Sequence, residues 1–537
     1  MFAHFRPVFV AFLNLALGIW FAELFRQGKI VYFIVFVSIL SLVILLSFFH
    51  FFLKTKFFDY LWKTLCVTIT ALISFLIGFG MFIGLYNKIS SEKRADINSS
   101  SFYSIAGELR FSPIKYEDRV TMFIDDVILT DSGEEVFNLE SGMYISIKLE
   151  DLSEDSDVFT AKAGDVILLS SKVRKINVFS KDEIYTYAYK NDYRYFANSC
   201  DGRIDVIEGT QSGIDSVRQY IKDIFYKSMS DRYAGLAYAL FVGDVSGIDY
   251  DMQNNFEITG IAHLLAVSGL NTALMAMVLV WIFRKIGVKP KYSVIIVALI
   301  LGFYCILCDF APSVLRASLM SVFLLFGQSV GKQTDNLTSV SLAGIILLII
   351  SPMYLFDLSF LLSFASVFGI FFLYPIFEKM FLKLKLGKFV SSNLALSLAA
   401  QVATLPLLIN TFGKVSVISL LVNLIIVPFV GYVYIAMFVS LMIIMIMPFM
   451  WWLLWLCQWG LWLVDVVSTW FATWPYAMVE VQAIATLVLV VYFIALFCFS
   501  RFCIVSKRGY RISVNCSIAV VVVLLLILNY TVFPLLM

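Results

Sequence analysis

Gly260-Ile-Ala-His263-Leu-Leu-Ala-Val-Ser268-Gly269-Leu-Asn271 is the stretch on which the reading of this chain turns. It opens an apolar run reaching to about residue 283, yet places His, Ser, Gly and Asn within twelve positions. Polar groups in hydrocarbon are costly unless they face protein or water. Taken as one helix at about 100° per residue, His263 and Asn271 lie roughly 80° apart, with Ser268 beyond Asn271. The three then line one polar face, or else serve close helix packing, as Ser and Gly do in membranes.

The chain around this stretch is 61% hydrophobic and only 15% charged over 537 residues, with mean hydropathy +0.88. Its apolar runs repeatedly reach the ~20 residues that cross a bilayer. A polytopic α-helical membrane protein follows. The net charge of +2 carries no information about a nucleic-acid partner.

Residues 1–86 hold three apolar runs, 7–25, 30–53 and 61–86, read as retained membrane helices rather than a signal peptide. Residues 87–212 change character, holding most of the acidic groups of the chain. Val120-Thr-Met-Phe-Ile124, Met143-Tyr-Ile-Ser-Ile-Lys-Leu149 and Asp165-Val-Ile-Leu-Leu169 alternate as strands do, with turns at Asp131-Ser-Gly133 and Asp201-Gly202. The segment reads as an inserted small β-barrel of OB-like type. It is net acidic, which argues against a broad phosphate-binding surface, although Lys172 to Lys175 form a local basic spot. An amphipathic linker helix (213–232) leads to a second membrane block, 233–505, and a last apolar helix in 506–537. Expected spans are 261–283, 292–308, 314–330, 337–350, 358–377, 393–409, 415–430, 432–447, 451–471, 483–502 and 513–532.

Basic residues mark the inner side of membrane helices. Lys54, Lys56 and Lys63 put the loop after the second helix inside and the β domain outside. Arg284, Lys285, Lys289 and Lys291 mark a further inner loop, as do Lys379, Lys383, Lys385 and Lys388, and then Arg501, Lys507, Arg508 and Arg511. Crossings count correctly through Lys388. Beyond it, one segment within 415–471 must fail to span. A re-entrant hairpin or an interfacial helix bearing Trp451, Trp452, Trp455, Trp459 and Trp462 would close the count.

Enzyme chemistry finds little support. Ser268 has no base on a second polar helix. Gly327-Gln-Ser-Val-Gly331-Lys332 is one residue short of a phosphate loop and ends a helix. His4, His50 and His263 are too dispersed for a zinc cluster. Cys305 and Cys308 read as packing, and Cys200 stands alone in the β domain, so no disulfide, metal or cofactor is implied. The remaining polar positions in the second block are Arg316, Asp357 with Ser359 and Ser363, Gln401 before Pro406, and Asn423 before Pro428. Arg316 and Asp357 either offset each other as a pair or lie near an interface, where a charge costs little. Gly269, Pro406 and Pro428 are expected helix breaks around a polar path, as in transporters.

The pieces Ala239-Leu-Phe-Val-Gly-Asp244, His263-Leu-Leu-Ala-Val-Ser268-Gly-Leu270, Arg316-Ala317, Asp357-Leu-Ser-Phe360, Ser363-Phe364, Gln401 with Pro406, and Ser419 through Asn423 to Pro428 occur in a specific order. In them the second block resembles the ComEC-type competence DNA-uptake channel family. Gly164-Asp165 and Asn191-Asp192-Tyr193-Arg194-Tyr195-Phe196 resemble that family's extracytoplasmic OB-like domain. The resemblance implies passage of single-stranded DNA across the cytoplasmic membrane, with His263, Ser268, Asn271, Arg316, Asp357, Ser359, Gln401 and Asn423 as channel-lining candidates. The family usually has His where this chain has Asn271. Its longer members end in a metallo-β-lactamase-like domain, whereas this sequence ends after an apolar run. Strand degradation would then fall to a separate nuclease, beside a DNA receptor, a cytoplasmic motor or single-strand-binding protein, membrane lipid and a homo-oligomeric partner copy. A small-solute transporter and an envelope scaffold are the competing readings.

Overall fold

The structure is a computed structural model. It describes residues 7–27, 57–91, most of 97–209, and 213–484 apart from 332–334 and 386, with isolated positions up to 496. The 30–53 and 513–532 runs, nearly all of 483–502, the turns at 131–133 and 201–202, and His4, His50, Lys54, Lys56, Cys200, Arg501, Lys507, Arg508 and Arg511 lie outside the described residues.

Helices α1 (Pro7–Arg26) and α2 (Phe57–Ser91) pack in parallel, with Phe21 on Phe75 and Phe25 on Phe79 at ring separations of 6.1 and 6.0 Å. Apolar side chains gain nothing by leaving lipid, so close backbone approach drives such pairs. Gly18 and Gly78 permit it: a Cβ on either would strike the facing carbonyl, of Phe75 or of Leu15.

In the β domain, β1 (Phe102–Leu109), β3 (Arg119–Thr130), β5 (Gly142–Lys148), β6 (Val166–Lys175) and β7 (Tyr193–Ala197) close a barrel in the order β1-β3-β5-β7-β6-β1. Every pairing is antiparallel except β5 with β7. That order and that single parallel pair make this an OB-type barrel. The short β2 (Ile114–Lys115), β4 (Val136–Asn138) and β8 (Asp205–Ile207) extend its edges. A bulge at Gly107 bends β1 so that it pairs with β3 on one side and β6 on the other. Alternate residues fill the core, among them Val120, Met122, Ile124, Met143, Ile145 and Ile147.

The linker region forms α3 (Gly213–Ser228), α4 (Asp231–Val242) and α5 (Tyr250–Ile258). The second block follows as α6 (Gly269–Lys285), α7 (Pro290–Leu307), α8 (Pro312–Ser329), α9 (Asn336–Ile350), α10 (Leu358–Lys383), α11 (Lys388–Phe412), β9 (Lys414–Ser416), α12 (Ser419–Ile446), α13 (Trp452–Ala472) and β10 (Met478–Glu480). Among the described residues seven helices are long and apolar enough to cross a membrane, which makes this a multi-pass membrane protein. α6 and α9 are shorter and α8 more polar.

Three expectations need correction. The runs 415–430 and 432–447 are one helix, α12, of 28 residues. At 1.5 Å per residue it reaches roughly 42 Å, enough for one tilted crossing. The segment 415–471 thus holds two candidate spans, α12 and α13, where three were expected. Second, Pro406 and Pro428 lie inside continuous helices and break nothing. Third, His263 and Ser268 precede α6, so 261–283 is not one helix. β9 and β10 pair antiparallel, tying the α11–α12 turn to the chain after α13 at the end opposite the Lys379–Lys388 turn.

Substituting Leu for Gly78 should lower the thermal unfolding midpoint in detergent, by an overpacking cost of about 1–3 kcal/mol. The same change at Gly84, where nothing lies within 4 Å of a Cβ, should leave the midpoint unmoved.

Candidate functional site

The break between α5 and α6 begins at Gly260, whose φ of +74° turns the chain. A side chain there would also meet Ser419, 2.5 Å from its Cβ, so glycine is required twice over. A 3-10 turn, Ala262–Leu264, and an extended stretch lead to Ser268, whose hydroxyl accepts from the Asn271 amide at 3.2 Å and caps α6. Gly269 thus marks a true helix boundary. Leu264, Leu265 and Val267 are buried, while Ala262, His263 and Ala266 are exposed. His263 is exposed and hydrogen-bonds the Gly260 backbone. Among the described residues, no hydrogen bond reaches the carbonyls of His263 through Ala266. Unpaired carbonyls are tolerated at membrane depth only beside water.

Asn271 does different work from the expected lining role. Its side chain is buried and donates to the Leu240 carbonyl at 3.0 Å. α4 ends at Gly243 (φ +94°), leaving last-turn carbonyls that need partners inside the bundle. Gly243 N–H reaches Ala239 O, Asn271 takes Leu240 O, and the Tyr304 hydroxyl donates to Phe241 O at 2.8 Å. Cys308 also faces Phe241 O at 3.8 Å, and Cys305 donates to the Ser318 hydroxyl at 3.4 Å; both thiols are buried and free. Tyr304, with Tyr434 at 3.4 Å, escaped the sequence reading because a tyrosine in an apolar helix carries no distinguishing signal.

Arg316 approaches the start of α6, with Nη2 2.8 Å from where a Gly269 Cβ would stand. It donates to the Ser363 carbonyl and lies 5.6 Å from the Phe364 ring centre. It does not pair with Asp357. That carboxylate instead caps α10, accepting from the amides of Ser359 at 2.8 Å and Phe360 at 3.2 Å. The Gln401 side-chain amide donates to Ser397, one turn away on α11, at 3.2 Å. Asn423 stands one turn beyond Ser419, which abuts Gly260; its buried Oδ1 and the nearby Ser416 hydroxyl find no partner. The structure therefore gathers Ser268, Asn271 and Arg316 at one helix start, sets Asn423 on the helix that meets Gly260, and leaves Asp357, Ser359 and Gln401 in local roles. The sequence reading also missed Asp465. This buried carboxylate in α13 accepts from Nε and Nη2 of Arg232, at 2.9 and 3.2 Å, and its signal was a lone acid in an apolar run.

The barrel meets the bundle at a cleft of about 430 Å³ lined by Glu108, Arg110, Asp125, Asp126, Arg218 and Asp309. Arg110 bridges Asp309 at 3.2 Å and Asp125 at 3.7 Å, and Arg218 caps α7 through the carbonyls of Leu307 and Ile306 at 3.0 and 3.1 Å. Burial pushes the Asp125 carboxyl up, outweighing Arg110, and Asp126, Asp309 and Glu108 add to the rise. Phe123, Tyr144 and Phe196 stack in sequence across β3, β5 and β7 at 5.0 and 5.5 Å, with Tyr193 on Phe123 at 5.3 Å. Tyr144 and Phe196 are half-buried, on the outer wall of the barrel.

A carboxyl raised in the folded state binds its proton more tightly there than when unfolded. Its contribution is greatest in acid and is lost as pH rises through the folded-state value. Thermal melts between about pH 4 and 8 should therefore show Asp125→Asn gaining stability over wild type as pH rises. A constant difference across that range would remove the assignment.

Residues 240–507 match the family model described as competence protein. The chain is similar to the ComE operon protein 3 of Bacillus subtilis (strain 168), 34% identical over 214 residues, which are 40% of this chain and 27% of that protein. It is also similar to an uncharacterized protein of Aquifex aeolicus (strain VF5), 24% identical over 306 residues, 54% of this chain and 69% of that one. The match thus spans about a quarter of the length of the Bacillus relative. No solved structure matches the chain. The family match encloses the end of α4, the α5–α6 break and Arg316: through residues 240–507 this chain belongs to the competence protein family.

Proposed function

We propose that this protein conducts single-stranded DNA through the cytoplasmic membrane during natural transformation, with its barrel on the outer side. The observation that carries the reading is the α5–α6 break: a non-helical stretch inside the competence-family block, with His263 exposed and, among the described residues, four successive carbonyls that accept no hydrogen bond. A strand follows this path past His263, Ser268 and Asn423, and Arg316 beside them meets its charge. Gln401, on α11, takes part only if the path continues along that helix.

Orientation rests on charge and contact together. The barrel joins the bundle through Asp309, at the end of α7 away from Lys289 and Lys291. Those lysines mark the inner side. Aromatic residues on a barrel of OB type offer base-stacking platforms; the ladder starts with Phe123 and Tyr144 on β3 and β5, the second and third barrel strands, where such folds take oligonucleotides, and continues to Phe196 on β7.

Deleting the gene should abolish entry of labelled DNA into the cytoplasm, and wild type should restore it. His263→Ala should fail to restore entry at normal protein levels; full restoration would strike His263 from the path. On the barrel, Tyr144→Ala and Phe196→Ala should each weaken single-strand affinity of the purified protein by about 1–3 kcal/mol, a loss absent for a Phe102→Ala control.

A further inference from the structure

Arg316 is only 6% exposed, yet its charge has no answer in the protein. One nitrogen donates to the Ser363 carbonyl, Nε finds no acceptor, and no carboxylate pairs with it among the described residues. A guanidinium holds five donors and stays charged, so burial in this form calls for an anion. Its surroundings deepen the need. Arg316 is the fifth residue of α8 and its Nη2 lies beside the first residue of α6, so the positive ends of these two helices are close to it. The amides of Gly269 and Leu270 donate to nothing among the described residues, while Asn271 N–H is taken by Ser268. Gly269 has no side chain to hold the guanidinium away: a Cβ there would lie 2.8 Å from Nη2. Leu270 and Ala266 beside it are exposed, and Ser313 of α8 donates to Val267 O at 2.7 Å, fixing α8 against the break.

From this geometry we infer that Arg316 and the first-turn amides of α6 form a binding site for a singly charged phosphodiester, one linkage of the passing strand, an inference that rests on the conduction reading above. A bidentate guanidinium with helix-start amides matches two phosphate oxygens. The site then acts as a stepping point for the backbone, blind to the base. A phospholipid headgroup presents the same chemistry.

The test uses the full-length protein in dodecyl maltoside, which holds no phosphate, with a fluorescent oligothymidylate and its uncharged methylphosphonate counterpart as probes. Wild type should prefer the charged strand. Arg316→Gln should lose affinity for it roughly tenfold or more, and its salt dependence should fall by about one phosphate contact. Arg316→Lys should restore the salt dependence. Gly269→Ala keeps the charge but displaces the guanidinium, and should lose affinity in the same direction even where Arg316→Gln folds poorly. Unchanged salt dependence and preference in both Arg316→Gln and Gly269→Ala, with wild type binding, would overturn the site and leave the conduction reading standing. No binding of either strand by wild type overturns both. Displacement of the strand by added phosphatidylglycerol, seen only with Arg316 present, supports the site with lipid as a second occupant; no displacement supports it with the strand alone.

Discussion

Hydrocarbon offers no hydrogen bonds, so each backbone group within the bundle must find its partner in the protein or beside water. This one requirement orders much of the second membrane block. α4 stops inside the bundle because Asn271, Tyr304 and Gly243 satisfy its last carbonyls. α10 starts inside it because Asp357 satisfies its first amides. Cost at each of these ends is offset by a side chain placed for the purpose. Against that background the carbonyls of His263 through Ala266 stand out, since among the described residues nothing donates to them.

The barrel was legible in the sequence because a strand's period of two prints burial directly onto residue type. Val120-Thr-Met-Phe-Ile124 and Met143 through Leu149 place their inward residues as that alternation requires. Membrane helices were legible as apolar mass, but their ends were not. The run 261–283 stays apolar through the break, since Leu264, Leu265 and Val267 pack inward while the backbone leaves the helix. Hydropathy reports what a side chain buries and is silent on where its carbonyl points. Conversely, 415–447 was divided at Gly431, where the helix in fact continues past Leu274. Pro406 and Pro428 were read as breaks by a rule suited to water; in a bundle, neighbouring groups can serve the backbone that proline frees.

Side-chain partners were the least legible layer, for a plain reason. Arg232 and Asp465 stand 233 positions apart, and Arg110 and Asp309 stand 199 apart. No local pattern encodes such meetings. Asp357 and Arg316, both charged and both in apolar surroundings, looked like natural partners; the nearer demand of the α10 amides claimed the aspartate first. That leaves Arg316 uncompensated, a result invisible until the helix ends are placed.

The turn after α7 joins these layers. Arg110 of the barrel reaches Asp309, two residues before Ala311 and at a positive φ of 50°. Cys308, its neighbour, faces the Phe241 carbonyl at the end of α4, and the preceding carbonyl of that helix holds Asn271. Asn271 in turn bonds the Ser268 cap beside Gly269 and Arg316. Contact alone does not make a coupling; an element with two arrangements is needed. The segment 305–311 meets the first condition for one, since non-glycine residues at positive φ are uncommon and Asp309 and Phe310 adopt it in succession. Contacts from both sides, Arg110 and Arg218 on one and the α4 end on the other, join the segment's own backbone hydrogen bonds, such as Phe310 N–H to Cys305 O at 2.8 Å, in holding that backbone. The contact of the barrel at Asp309 thus lies one residue from Cys308, whose thiol faces the helix end that Asn271 secures.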